Sequence, residues 1–232
     1  MGRKKSFDEQ AVITAAIAVF SEHGYVGTDV GLVCERANIG RSSFYNTFDS
    51  LDAVFLRALE DYTSSGIPIR EALLDSHRPA PVLLMERLGG ELTIQCADQK
   101  KIGCLSANTA AELGREVDAV STILDADREA WIATYAALIA RGQSAGDLLG
   151  DIDAAVHARL VFSVLAGLRI AARIMPASEV LDQVRAFVAG LCTPAGRATL
   201  DTTDPRPGTP GPGTPDSDTP DSGTSTKGIP SA

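Results

Sequence analysis

The chain has 232 residues, 44% of them hydrophobic and 22% charged, with a formal net charge of -9, enough for one or two small domains with cores of their own. Four cysteines without a C-x-x-C pair and three scattered histidines argue against a zinc site, so no metal and no cofactor is expected. No stretch reaches about 18 uninterrupted apolar residues, so no membrane association is expected, and unpaired cysteines fit a reduced, cytoplasmic protein.

Aromatic residues make up only 5%, alanine and leucine dominate, and apolar spacing is helical far more often than alternating. The expected fold is therefore all-α. Ser6 and Glu9 form an S-x-x-E box that would open the first helix, with Ile13, Ala16, Ile17 and Phe20 as its apolar stripe and Gly24 as its stop. Thr28 is a candidate N-cap for the second, where Val30, Val33, Cys34 and Ala37 recur at helical spacing. "ANIG" makes a tight connection through Asn38, which tolerates a left-handed backbone. A short third helix is predicted over 41–48, and Ser50 would cap a fourth beginning "LDAVFLRALEDY".

Five more helices are predicted near 82–97, 103–115, 118–143, 154–174 and 178–191, about nine in all, with breaks at Pro79, Pro81 and Pro176. From Thr193 the composition changes: the last 40 residues hold eight of the twelve prolines and almost no large apolar side chain. Such a segment cannot bury enough surface to offset its ordering entropy and is expected to be disordered. The organisation expected is residues 1–50 as a three-helix helix-turn-helix domain, 51–192 as a larger helical ligand-sensing and dimerisation domain, and 193–232 as a Pro/Gly/Thr-rich tail.

Two helices joined by a short turn and packed by a preceding helix make a helix-turn-helix. In the third helix Phe44 and Phe48 are four apart and should face the core, which turns Ser42, Ser43, Tyr45 and Asn46 outward. Arg41 in the first turn suits a phosphate, and short hydroxyls and an amide can reach phosphates or base edges. The segments "AVFSEHGYVGTDV", "ERANIG" and "SSFYNTF" together resemble the N-terminal pattern of the TetR family of bacterial transcriptional regulators, over about residues 6–55. The resemblance implies a partner of double-stranded operator DNA. It places Thr28 and Tyr45 at backbone-contacting positions and Arg41, Ser42, Ser43, Asn46 and Thr47 on the recognition helix.

The sequence also departs from that pattern. Asn38 replaces the turn glycine, Gly40 replaces the usual serine cap, and Leu51 stands where the family commonly has a phosphate-contacting lysine. Lys4 and Lys5, with Arg3, could substitute as a basic arm. Residues 1–62 hold six Lys/Arg against nine Asp/Glu, an unusual balance for a DNA reader. A helical sensor or interaction protein with weak or lost DNA binding is the alternative this leaves open. No nucleophile–base constellation or phosphate-binding glycine loop stands out, so an enzyme is not expected.

In the second domain, residues 154–191 are apolar around most of the helix circumference. Leu160, Val164, Gly167, Leu168, Val184, Phe187 and Val188 are the candidate homodimer interface, two helices from each subunit forming a four-helix bundle. "GCLSANTAAEL" resembles a G-C-L-x-x-N-x-A-x-E-L motif in a subgroup of TetR-family ligand domains, some of which sense oxidants or electrophiles through cysteine. Cys104, at a predicted helix start, and Cys96 are candidates for such chemistry. Gln95, Asn108, Trp131 and Tyr135 are candidates for lining an apolar pocket with polar anchors. The effector expected is a small molecule or an electrophile. The function expected is a dimeric, ligand-responsive regulator of transcription, with repression as the default.

Overall fold

Helix α1 (Glu9–His23) starts where the Asp8 carboxylate turns back to accept the N–H of Gln10, and it stops at Gly24, whose φ of 72° favours glycine. Asp8 therefore takes the capping role expected of Ser6, which lies outside the described residues. Those are 8–98 and 102–203 of this computed structural model. Helix α2 (Val30–Ala37) is capped by Asp29, whose carboxylate accepts the Leu32 N–H at 3.0 Å, rather than by Thr28. Asn38 ends α2 with φ 52°, the left-handed conformation its side chain tolerates.

Helix α3 (Arg41–Tyr45) is shorter than the spacing suggests, yet the Phe48 N–H still reaches the Phe44 carbonyl at 2.8 Å, so both rings face inward. Ser50 caps α4 (Leu51–Ser64) as expected, accepting the Ala53 N–H at 3.0 Å. These four helices close on one core in which Ile13, Ala16, Phe20, Val33, Phe44, Val54, Ala58 and Leu59 are fully buried. Leu105, Leu113 and Val120, from much later in the chain, join the same cluster. The expected boundary at residue 50 thus cuts through a core that α4 shares.

Helix α5 (Ile67–Asp75) was not anticipated; its Pro68 lies in the first turn, where a missing N–H costs nothing, so the proline starts a helix instead of breaking one. Then follow α6 (Ala80–Ala97), α7 (Leu105–Leu113), α8 (Asp118–Ala145), α9 (Ala154–Ala171) and α10 (Ala177–Leu191). The 28-residue α8 is the spine, touching α4, α5, α6, α7 and α9, while α10 packs along α6. A second core, around Leu84, Leu88, Leu92, Leu138, Ile139, Val161, Val180, Val184 and Val188, fills the space between them.

The disorder expected from residue 193 is overturned at its start. Helix α11 (Pro194–Thr203) begins at Thr193, whose hydroxyl accepts the Gly196 N–H, and packs on α6 and α10 with Leu200 buried. A Thr–Pro pair is an N-cap followed by a proline at the first helical position, a start signal that the proline-rich composition obscured. Residues 204–232 lie outside the described residues. The eleven helices described exceed the nine expected by α5 and α11.

Candidate nucleic-acid interface and ligand cavity

Two aromatic anchors set the face of α3. Phe44 and Phe48 are buried with their centroids 5.4 Å apart, which leaves Arg41, Ser42, Tyr45 and Asn46 exposed and Ser43 and Thr47 half-buried. Tyr45 is 60% exposed, its ring edge-on to Phe44 at 5.4 Å and its hydroxyl free to meet a polar surface. Arg41 reaches back over the start of α2: a Cβ on Gly31 would meet its Nη2 at 2.7 Å. Gly31 was missed in the sequence because nothing marks a helical glycine as floor for a side chain on another helix.

Thr28 does not sit as expected. It is 7% exposed, and its hydroxyl donates to the Gly24 carbonyl at 2.6 Å, so its proton is committed to holding the turn. Five of the nine acidic residues of this region are held as follows: Asp8 and Asp29 cap helices, Asp52 accepts from the Tyr25 hydroxyl, Asp61 from Gln10, and Glu22 pairs with Arg36. Lys4 and Lys5 lie outside the described residues.

A cavity of about 1460 Å³ opens among α4–α9. Cys104, Gln95, Asn108, Trp131 and Tyr135 all line it, whereas Cys96 packs against the second core instead. None of the four cysteines is in a disulfide. Cys104 is buried and its sulfur accepts a hydrogen bond from the Tyr62 hydroxyl at 3.3 Å; burial pushes the Tyr62 phenol up. The Asn108 amide N–H₂ is spent on the Ile102 carbonyl, where it holds the turn at Gly103, whose φ is +84°.

Trp131 stacks on Tyr135 at 5.6 Å and carries two guanidinium groups over its ring, Arg87 at 4.3 Å and Arg70 at 5.3 Å. Arg87 and Arg169 both grip Glu91, and Arg70 pairs with Asp127 at 3.4 Å. Burial raises the Asp127 carboxyl above its ordinary value, against the pull of Arg70, Arg169 and Arg87. Burial likewise pushes the Tyr135 phenol up to about 12. The Tyr135 hydroxyl, Arg87 Nε and Gln95 Oε1 are buried without a hydrogen-bond partner. None of the ionic residues was singled out from the sequence. The signal was there in "MERLGGELTI" and "AGLRIAAR", since a charge inside an apolar helical run must find a partner when buried.

Helix α7 joins cavity to interface. It lines the cavity along its length, from Ser106 to Ala111, and near its C-terminal end Glu112 accepts the N–H groups of Tyr25 and Val26 at 2.8 and 2.7 Å. These are the residues of the α1–α2 turn. A Cβ on Gly24 would come within 2.7 Å of Glu112 Oε2, so glycine there serves the close approach as well as the positive φ.

The candidate subunit-interface residues divide. Leu168, Val184 and Val188 are buried within this chain, because α9 packs on α8 and α10 on α6, and Phe187 is half-buried against the same core. These four belong to the internal core. Leu160 is exposed, Val164 half-buried and Gly167 exposed, on an outward stripe of α9 that Val156 and Ile170 extend and Ile174 prolongs just beyond the helix. By length and composition α9 alone, among the described residues, is apolar enough to cross a membrane, yet Arg169 ties it into the buried ionic cluster.

Residues 12–58 match the model of the bacterial regulatory proteins of the tetR family, and residues 92–188 match a tetracyclin repressor-like C-terminal domain. The repressor DhaR of Mycobacterium sp. (strain GP1) is 27% identical over 174 residues, covering 75% of this chain and 86% of its own. The regulator AcuR of Cereibacter sphaeroides is 28% identical over 151 residues, 64% of this chain and 68% of its own. Among solved structures, the TetR-family regulator CifR, with three cysteine substitutions and bound to a 26-base-pair operator duplex, superposes with a TM-score of 0.71. It is 28% identical, and the match covers 82% of this chain and 100% of that one.

Proposed function

Since the chain belongs to the TetR family of bacterial transcriptional regulators and is a DNA-binding regulator, we propose that it works as a homodimeric repressor released by a small effector bound in the α4–α9 cavity. It is read as acting in the cytoplasm. The observation that carries this reading is α7, which lines the cavity along its length and holds the α1–α2 turn through Glu112 near its C-terminal end. A ligand that prefers one position of α7 over another would bias the placement of α2 and α3, and only such a differential affinity can drive release. The exposed α3 face around Arg41, Ser42, Tyr45 and Asn46 is the proposed DNA contact, with Ser43 and Thr47 at its edge.

A thiol-reactive effector is the second reading, favoured by the position of Cys104 in the cavity wall at the start of this same helix. Fluorescence anisotropy against DNA from upstream of the protein's own gene tests the first reading. Binding that prefers this duplex to a scrambled one, and weakens with added salt, is the expected result. Equal affinity for both duplexes at low salt argues against a reader of that site. Release by an oxidant that Cys104→Ser abolishes would favour the second reading.

A further inference from the structure

The cavity's charge opposes that of the whole protein. Six arginines and four carboxylates line it, in a chain whose formal charge is -9. At and just behind its floor three guanidinium groups, those of Arg87 and Arg169 in the lining and that of Arg70 behind Trp131, meet only two carboxylates, of Glu91 and Asp127, and all five side chains are 12–16% exposed. Arg87 and Arg169 share the single Glu91. A buried cation without its own counter-charge is costly, and each guanidinium has five N–H donors to satisfy.

Two of the unpartnered polar groups are donors beside this floor: Arg87 Nε and the Tyr135 hydroxyl. Leaving a buried donor unpaired costs about 1–3 kcal/mol, which a partner from outside the chain would recover. The rest of the wall includes Ile69, Leu73, Leu83, Phe162 and Leu165, so the same cavity offers an apolar enclosure next to its charged end.

We propose that the cavity recognises a small monocarboxylate, its head group held by Arg87, Arg169 and the Tyr135 hydroxyl and its apolar body against the surrounding aliphatic wall. The proposal rests on reading this cavity as the effector site and names the chemistry that site selects. One negative charge balances the floor. A phosphate ester, at about -1.5 to -2, would overshoot it. Planar two-oxygen geometry also matches the guanidinium fork.

Trp131 is the chain's one tryptophan, and it lies under Arg87, so its emission reports this site alone. Full-length protein would be titrated with benzoate, hexanoate and octanoate, each beside its neutral amide, and with inorganic phosphate, following Trp131 emission and Tm. The expected result is saturable binding of at least one acid, with its amide weaker by about tenfold or more. Tyr135→Phe removes only a hydroxyl that has no partner. The free protein should keep its Tm, while binding of the acid weakens by more than that of the amide, whose neutral carbonyl accepts a weaker bond from the same hydroxyl. Amides that bind as tightly as acids would overturn the proposal, as would phosphate binding as tightly, or silence from all three acids. Operator binding by the same samples separates the failures. Retained DNA binding beside a silent Trp131 rejects the carboxylate alone, whereas absent DNA binding strikes the regulator reading.

Discussion

Arg41 combines exposure with a tether: it projects from the first turn of α3, and its guanidinium rests over Gly31. If it contacts a phosphate, Arg41→Ala should weaken binding to specific and scrambled DNA alike and lower the salt slope by about 1. Asn46→Ala should instead change sequence preference, and anisotropy across a set of single-base operator variants separates the two. Phe44 behind that face is 0% exposed, and Phe44→Ala should cost about 3–5 kcal/mol in urea unfolding. Away from the reader, burial pushes the Cys192 thiol up to about 11, from an ordinary 9.0. Between those values the unfolded chain releases a proton that the folded chain keeps. Stability is thus fully present below that window and falls as pH rises through it. Cys192→Ala should flatten this part of the alkaline limb in unfolding titrations. The outward set on α3 could be read from period alone, because two phenylalanines four apart fix a helix's orientation. Thr28 could not be read that way, since its hydroxyl partner is a carbonyl whose direction only the turn at Gly24 decides.

Helix α7 lies between the cavity and the N-terminal core. Leu105 and Leu113 sit in the N-terminal core, Cys104 and Asn108 at the cavity, and Glu112 on the backbone of the α1–α2 turn. Glu112 is itself solvent-exposed, so water can replace it on the Tyr25 and Val26 amides, and Glu112→Ala should cost only about 1 kcal/mol. Its effect on coupling should be larger: operator binding persists while the response to effector shrinks. Parallel titrations of ligand and DNA would show this, and an unchanged response would remove Glu112 from the path. Element existence was legible wherever apolar spacing ran for three turns or more, as in α6, α8, α9 and α10. The two helices missed, α5 and α11, are short and begin at prolines. In both, a proline in the first turn marks a beginning; Pro68 drew no attention in the sequence and Pro194 counted only toward the composition of the tail. The ionic floor was illegible for a different reason: Arg87, Glu91, Asp127 and Arg169 come from three helices, and only their packing brings them together.

For the whole molecule, the decisive surface is the stripe on α9. Val156 is 42% exposed, Leu160 46%, Ile170 66% and Ile174 82%, an apolar face that reaches the cavity rim at Ile170 and that no other described residue covers. The sequence marked α9 and α10 together as an interface, but Val184 and Val188 are spent on the internal core, so the composition of both helices overstated what is free. A lipid surface would also cover an apolar stripe. A second copy of the chain fits better with a DNA reader, because a twofold dimer sets two α3 helices about 34 Å apart, one turn of duplex. Leu160→Asp combined with Ile174→Asp places charge on the stripe without touching either core. Sedimentation should then show a monomer with unchanged helical circular dichroism, and operator affinity should fall toward that of one half-site. If the variant still sediments as a dimer, the subunits meet elsewhere. If the wild-type chain is already monomeric but floats with vesicles, the stripe belongs to a membrane surface. A monomer that still reads its operator with full affinity would show that one α3 face is enough, and the pairing of recognition helices would lose its physical basis.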